Sequence, residues 1–238
     1  MNLIGKAFFC SLIASLLSLQ LAAQSSFREG ILIYKTDTIK RLEAYPAGYI
    51  PSKTVVYKKG DLFRLEIWRT NPFTPGDIQK DIYIRNEKGT YLFGESSSTI
   101  KDTTDNMAIF MTYEDEKLFK SEQALLGVDT YTVEKVIQKV KWLNLPAKRV
   151  SLKGGEPGEL LDAIVTDAIY VPIGTLFDPI RKLPGTALQF TINERGWSTR
   201  YTAISLKSEP VKDSLFQINS SYKLMNLSEM SRQIESTK

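Results

Sequence analysis

Three features of this 238-residue sequence predict a mainly β fold: a strongly curved antiparallel sheet, closed partly on itself, with short helices covering its concave side. Apolar and polar residues alternate with a period of two along most of the chain. Short turns separate the alternating segments. Helical periodicity is confined to a few short stretches. About eleven strands emerge from this pattern, too many for a flat sheet, so curvature and partial closure follow.

The first strand is expected over Gly30 to Lys35. Lys53 to Lys58 and Leu62 to Thr70 form a hairpin around Lys59-Gly60-Asp61. In its second strand Phe63, Leu65 and Ile67 share one face, and Arg64 and Glu66 share the other. Ile78 to Arg85 and Thr90 to Phe93 flank Asn86-Glu87-Lys88-Gly89 as a second hairpin. The polar run Glu95 to Asp105 reads as a long loop. Further strands are expected at Met107 to Tyr113, Thr130 to Trp142, Ala147 to Lys153, Glu159 to Thr166, Ala187 to Asn193 and Trp197 to Leu206.

Glu116 to Leu126 reads as a helix with Leu118, Phe119, Leu125 and Leu126 near one side and Gly127 as its C-terminal cap. A short helix is expected after Pro172, between Gly174 and Pro184. The tail from Leu227 carries Met230 and Ile234 at helical spacing, with Ser228 able to cap it. No linker interrupts this succession, so residues 24–238 read as a single domain. A filled core and an apolar cavity both fit the inward-facing residues.

Residues 1–23 read as a secretory signal peptide: Lys6 precedes an apolar run from Ala7 to Leu19 that ends at Ala22 and Ala23. The run is too short, and too interrupted by serine, for a membrane span. Cys10 lies inside it behind Ala7, Phe8 and Phe9, which are the wrong residues for lipidation, so the expected product is exported, periplasmic and not lipid-anchored.

The sequence contains no histidine, and Cys10 is its only cysteine. Catalytic triads, Cys-His pairs, zinc sites with nitrogen or sulfur ligands and disulfides are thereby excluded from the mature chain. The net charge of +4 is small, and Lys117 and Lys120 lie among Asp115, Glu116 and Glu122, so no nucleic-acid groove is expected. Asp102, Asp105, Glu114, Asp115 and Glu116 are the densest carboxylates. Their spacing fits neither a calcium loop nor another metal site, and a solvated loop followed by an acidic helix start accounts for them. No Ser-x-x-Lys stands at a helix start, so catalytic residues are expected to be absent.

Several short segments, in order along nearly the whole mature chain, resemble exported proteins of Bacteroidota. Glu29-Gly30-Ile31-Leu32-Ile33-Tyr34 is similar to their opening strand, Leu145-Pro146-Ala147-Lys148-Arg149 to a later one, and Ile164-Val165-Thr166-Asp167-Ala168-Ile169 to a third. Lys182-Leu183-Pro184-Gly185-Thr186-Ala187-Leu188 resembles the box for which the GLPGLI family is named. Asp213-Ser214-Leu215-Phe216-Gln217-Ile218 with Tyr222-Lys223-Leu224-Met225 resembles their closing segment. The aromatic pair of the third motif is Ile164 and Val165 here, and Asn219 and Ser221 replace the usual proline and glycine. The resemblance implies the half-barrel fold of LolA, the lipoprotein carrier, with helices over its mouth, an acyl chain or lipoprotein anchor as partner, and no cofactor.

Each motif also has a purely structural account. Leu183, Pro184 and Gly185 are explained by a turn, with ligand contact as the alternative. Phe216, Ile218 and Tyr222 are expected to be anchors fixing the last segment to the barrel. Asp37-Thr38-Ile39 and Asp213-Ser214-Leu215 resemble the O-glycosylation acceptor of periplasmic Bacteroidota proteins, making Thr38 and Ser214 candidate acceptors; a turn held by a side-chain hydrogen bond is the plainer account of both. Two functions follow as expectations. One is a periplasmic binding or carrier protein for an apolar ligand. The other is a protein-interaction scaffold of the cell envelope with a filled core.

Overall fold

Alternation at period two becomes twelve strands in the computed structural model, which describes residues 27–41, 51–70, 76–97, 106–117, 131–154, 161–173, 180–194, 197–226 and 229. The first six strands are β1 (Glu29–Arg41), β2 (Lys53–Lys59), β3 (Leu62–Thr70), β4 (Ile78–Asn86), β5 (Gly89–Ser96) and β6 (Met107–Met111). A second series follows: β7 (Thr132–Trp142), β8 (Leu145–Lys153), β9 (Leu161–Thr166), β10 (Thr186–Glu194) and β11 (Trp197–Lys207). β12 (Lys223–Asn226) comes last.

All twelve belong to one sheet of order β12-β6-β5-β4-β3-β2-β1-β11-β10-β9-β8-β7. It is not closed, since β12 and β7 stand at its two ends. Two antiparallel meanders are therefore joined at a seam between β1 and β11. β1 runs on to Arg41, past the expected end at Lys35, because β11 offers ladder partners to its polar half, as in Asp37 opposite Arg200. The sheet is mixed, not purely antiparallel: β12 pairs parallel to β6, starting with Lys223 N–H donating to the Asn106 carbonyl at 2.7 Å.

Tight turns set the registers. Gly60, at φ 58°, supplies the left-handed conformation that the β2–β3 connection needs. The β7–β8 hairpin turns through Leu143 (φ 48°) and Asn144 (φ 65°), two successive left-handed residues.

Each face of the first meander carries a core. Leu32, Val56, Leu65 and Tyr83 stand opposite one another across β1–β4 and belong to the larger apolar cluster, which continues through β8–β11. Ile31, Tyr57, Arg64, Ile84, Tyr91 and Phe110 line the other face. Curvature is evident at the larger cluster. Trp142 Nε1 of β7 donates to the Ala203 carbonyl of β11 at 2.9 Å, although four strand spacings of about 4.8 Å separate those strands in a flat sheet. The sheet must curl toward that face for the indole to reach.

Of the expected helices, the described residues hold a short one, α1, over 113–117. It starts three residues before Glu116 because Thr112 caps it. Thr112 Oγ1 accepts from the Asp115 N–H at 3.1 Å, and Asp115 Oδ2 accepts from the Thr112 N–H at 2.9 Å and from its hydroxyl at 2.7 Å. These bonds hold the Asp115 carboxyl below its ordinary pKa. The remainder of the expected Glu116–Leu126 helix, residues 174–179 of the next one, the C-terminal helical tail apart from Glu229, and the leader lie outside the described residues.

After β11 the chain crosses the convex face as a strap over residues 208–222. Val211 and Phe216 bury themselves against Ile82, Ile84, Tyr91 and Phe93. Polar ties reinforce the strap. Lys59 Nζ lies 2.6 Å from Asp213 Oδ1, Arg64 Nη1 donates to the Leu215 carbonyl at 3.1 Å, and Asn86 Nδ2 donates to the Phe216 carbonyl at 2.9 Å.

Candidate functional site

The concave face offers two places where something other than close packing occurs. The first lies between residues 167–173, which leave β9, and residues 180–185, which lead into β10. Thr186, fully buried at the start of β10, organises it: its hydroxyl donates to the Ile169 carbonyl and accepts from the Val171 N–H, both at 2.8 Å. Thr166 at the end of β9 donates to the Pro146 carbonyl at 2.6 Å and accepts from the Ala168 N–H at 3.1 Å. Two buried threonines thus satisfy the polar backbone of a loop that would otherwise be costly to bury. Here lies a partly open cavity of about 100 Å³, lined by Val171, Ile173, Ile180, Leu183 and Ala187 together with Tyr170, Pro172, Arg181 and Gly185, so that polar and apolar atoms share its wall.

The Leu-Pro-Gly box sits at this cavity. Leu183 is buried in the main core and lines it; Pro184 is exposed. Gly185 has φ 69°, and a Cβ there would lie 2.2 Å from the Thr166 carbonyl oxygen and 2.9 Å from Asp167 Oδ1. Glycine is needed for both the turn and the close approach. Gly185→Ala is therefore expected to destabilise the protein by about 1–3 kcal/mol. Urea unfolding should show the lower midpoint with an unchanged m-value.

The second place is polar. The Glu116 carboxylate of α1 is buried against the same face, with Tyr83 Oη and Thr90 Oγ1 donating toward it at 3.4 and 3.3 Å and Arg85 Nη2 at 3.8 Å. The expectation of a solvated acidic helix start fails for this residue, because α1 begins early enough to turn Glu116 inward. Glu114 is exposed, Asp115 is used in the cap, and Asp102 and Asp105 lie outside the described residues. Burial pushes the Tyr83 phenol up to about 12; the Thr90 hydrogen bond opposes that rise, and the Glu116 charge adds to it. At neutral pH Tyr83 is thus a donor, not a base. Among the described residues no three Asp, Glu, Cys or His side chains come together as metal ligands.

The singled-out residues that follow β11 lie away from the concave face. Phe216 is fully buried beneath the strap on the convex side, Ile218 packs half-buried against the same cluster, and the Tyr222 ring centroid lies 4.6 Å from that of Phe93. Ser214 is exposed in the 3-10 turn Asp213–Phe216. Thr38 is exposed too, but it lies within β1 opposite Thr199, not in a turn, because the β11 ladder continues through it. Asp37 beside it is ion-paired with Lys35 at 2.8 Å.

No protein-family model matches the chain, and no curated protein matches it. Arg64 and Glu66 share the face opposite Phe63 and Leu65, as the alternation predicts, but are buried under the strap as an ion pair at 2.8 Å. The signal was present in their ladder neighbours: Val55, Tyr57, Ile82 and Ile84 make that face apolar around them. Thr186 escaped sequence reading altogether, since a threonine entering a strand is unremarkable until the preceding loop folds over it.

Proposed function

We propose that the protein is exported, loses its leader near Ala23 and works in the periplasm as a non-enzymatic binding or carrier protein. Its ligand is an acyl chain, a lipid or a lipoprotein anchor held on the concave face of a LolA-like half-barrel. Helices formed by the segments around Glu116 to Leu126 and Pro172 to Leu183 cover that face, and no cofactor takes part. The observation that supports this reading is the partly open pocket beside the start of β10, where Val171, Ile173, Ile180, Leu183 and Ala187 supply an apolar wall next to polar surface of about equal extent, in a sheet that is not closed.

Its volume of about 100 Å³ is below the roughly 150 Å³ that accommodates benzene and well below the 300 Å³ or more of drug-sized sites. The cavity therefore takes the end of a chain, and a longer ligand must displace part of its lining. Titration of the exported protein with fluorescent fatty acids of graded length tests this. Each methylene buried adds about 0.8 kcal/mol, so the Kd should tighten about fourfold per carbon until the cavity is full.

A second reading is favoured by the complete burial of Leu32, Tyr34, Leu188 and Phe190 in the larger cluster. These residues fill the middle of the concave face, as a scaffold with a packed core requires. Absence of binding at every chain length decides for that scaffold.

A further inference from the structure

The β7–β8 hairpin concentrates positive charge. Its strands hold Lys135, Lys139, Lys141, Lys148, Arg149 and Lys153 against one carboxylate, Glu134, whereas the whole sequence has a net charge of only +4. Lys139 and Lys148 stand directly opposite each other in the ladder, an arrangement that disfavours the hairpin in isolation. Lys148 and Arg149 are relieved by Asp167 and Asp162 of the neighbouring segment, at 2.8 and 2.9 Å. Lys135, Lys139 and Lys141 are exposed and form no ion pair among the described residues.

Lysine on an edge strand is a common guard against unwanted strand pairing, and β7 is an edge strand. That guard leaves two facts unexplained. Half of the cations lie on β8, which is paired on both sides. Between the β7 lysines, Val136 and Ile137 are 55% and 52% exposed, at a bulge that breaks the alternation of the strand. Guarding an edge calls for charge there, not for two exposed aliphatic side chains.

We propose that the β7–β8 hairpin docks on the surface of a bilayer rich in anionic phospholipid, with the lysines among the headgroups and Val136 and Ile137 entering the acyl boundary. Unpaired cations around exposed aliphatics match that boundary, where negative phosphates lie a few ångströms from hydrocarbon. A nucleic-acid backbone would match the charges but offers nothing to the aliphatic pair. Val136 stands opposite Val150 of the larger cluster, so it lies at the outer rim of the concave face.

Flotation of the exported protein with phosphatidylcholine vesicles, with and without phosphatidylglycerol, tests it. Binding is expected only with phosphatidylglycerol. The K135Q/K139Q/K141Q variant should bind about 100-fold more weakly, the equivalent of about 3 kcal/mol at 1.4 kcal/mol per tenfold. K88Q/K207Q/K212Q removes the same charge from exposed positions elsewhere and should bind as the unaltered protein does. V136S/I137S should also weaken binding, and its effect should persist in high salt where the lysine contribution fades. Thermal melts of all three variants establish that they are folded. Equal binding to neutral and anionic vesicles, equal loss in both lysine variants, or a preference for duplex DNA that V136S/I137S leaves unchanged would each overturn the proposal.

Discussion

Glu66→Leu is expected to cost about 3–5 kcal/mol, because it strands the Arg64 guanidinium beneath the strap without its counter-ion. The side chains of Arg64 and Glu66 are only 10% and 7% exposed, and they meet twice: Arg64 Nε and Nη2 both lie 2.8 Å from Glu66 Oε1. Glu66 Oε2 also accepts from Trp68 Nε1 at 3.2 Å, so its loss orphans a second donor. The paired replacement Arg64→Met with Glu66→Leu should be far milder, because removing both charges also removes both desolvation costs. Urea unfolding of the single and double variants separates these outcomes. A double variant as unstable as the single one would mean that the pair itself, and not the burial of an unmatched charge, dominates.

Phe216→Ala should cost about 3–5 kcal/mol, the range for emptying a fully buried phenylalanine site. Phe216 is 1% exposed and anchors the strap to Ile82, Ile84 and Tyr91 on the convex face. The larger cluster lies on the other face and does not contain it. The damage is therefore expected to be unevenly distributed. Amide exchange should accelerate in the strap and in β12, whose ladder with β6 directly follows it, while β9 and β10 remain protected against local opening. Uniform acceleration across β1–β12 would instead show that the two faces unfold as one unit.

The extent to which this architecture could be read from the sequence depended on where each residue finds its partner. Phe63, Leu65 and Ile67 alternate with charged neighbours, so β3 declared itself locally, and its glycine turn identified β2 as the adjoining strand. β12 did not. Lys223-Leu224-Met225-Asn226 is four residues long and takes its conformation from β6, more than a hundred positions earlier. The hairpin joining β7 and β8 was legible from its strands, but not its turn, since leucine is an uncommon occupant of a left-handed position such as that of Leu143. Along β1, residues Thr36 to Arg41 carry little strand signal and are extended because β11 lies beside them. The cavity was hidden for a related reason. Leu183 and Gly185 announce a turn, but the space beneath them exists only once residues 167–173 have folded back and Thr186 has tied them down.

The seam between β1 and β11 has a consequence for how the chain reaches this form. β1 can pair with β2 as soon as both have emerged from a ribosome or a translocation pore, but its other edge waits for residues 197–207, almost at the end of the chain. Until then each meander can assemble from neighbouring hairpins, and neither can complete the larger core they share. The slowest productive event should be a search between two preformed halves, carrying the high contact order of the Ile31–Lys207 register. A chain interrupted after β9 would present the length of β1 as an open template, the kind of edge on which two nascent molecules aggregate.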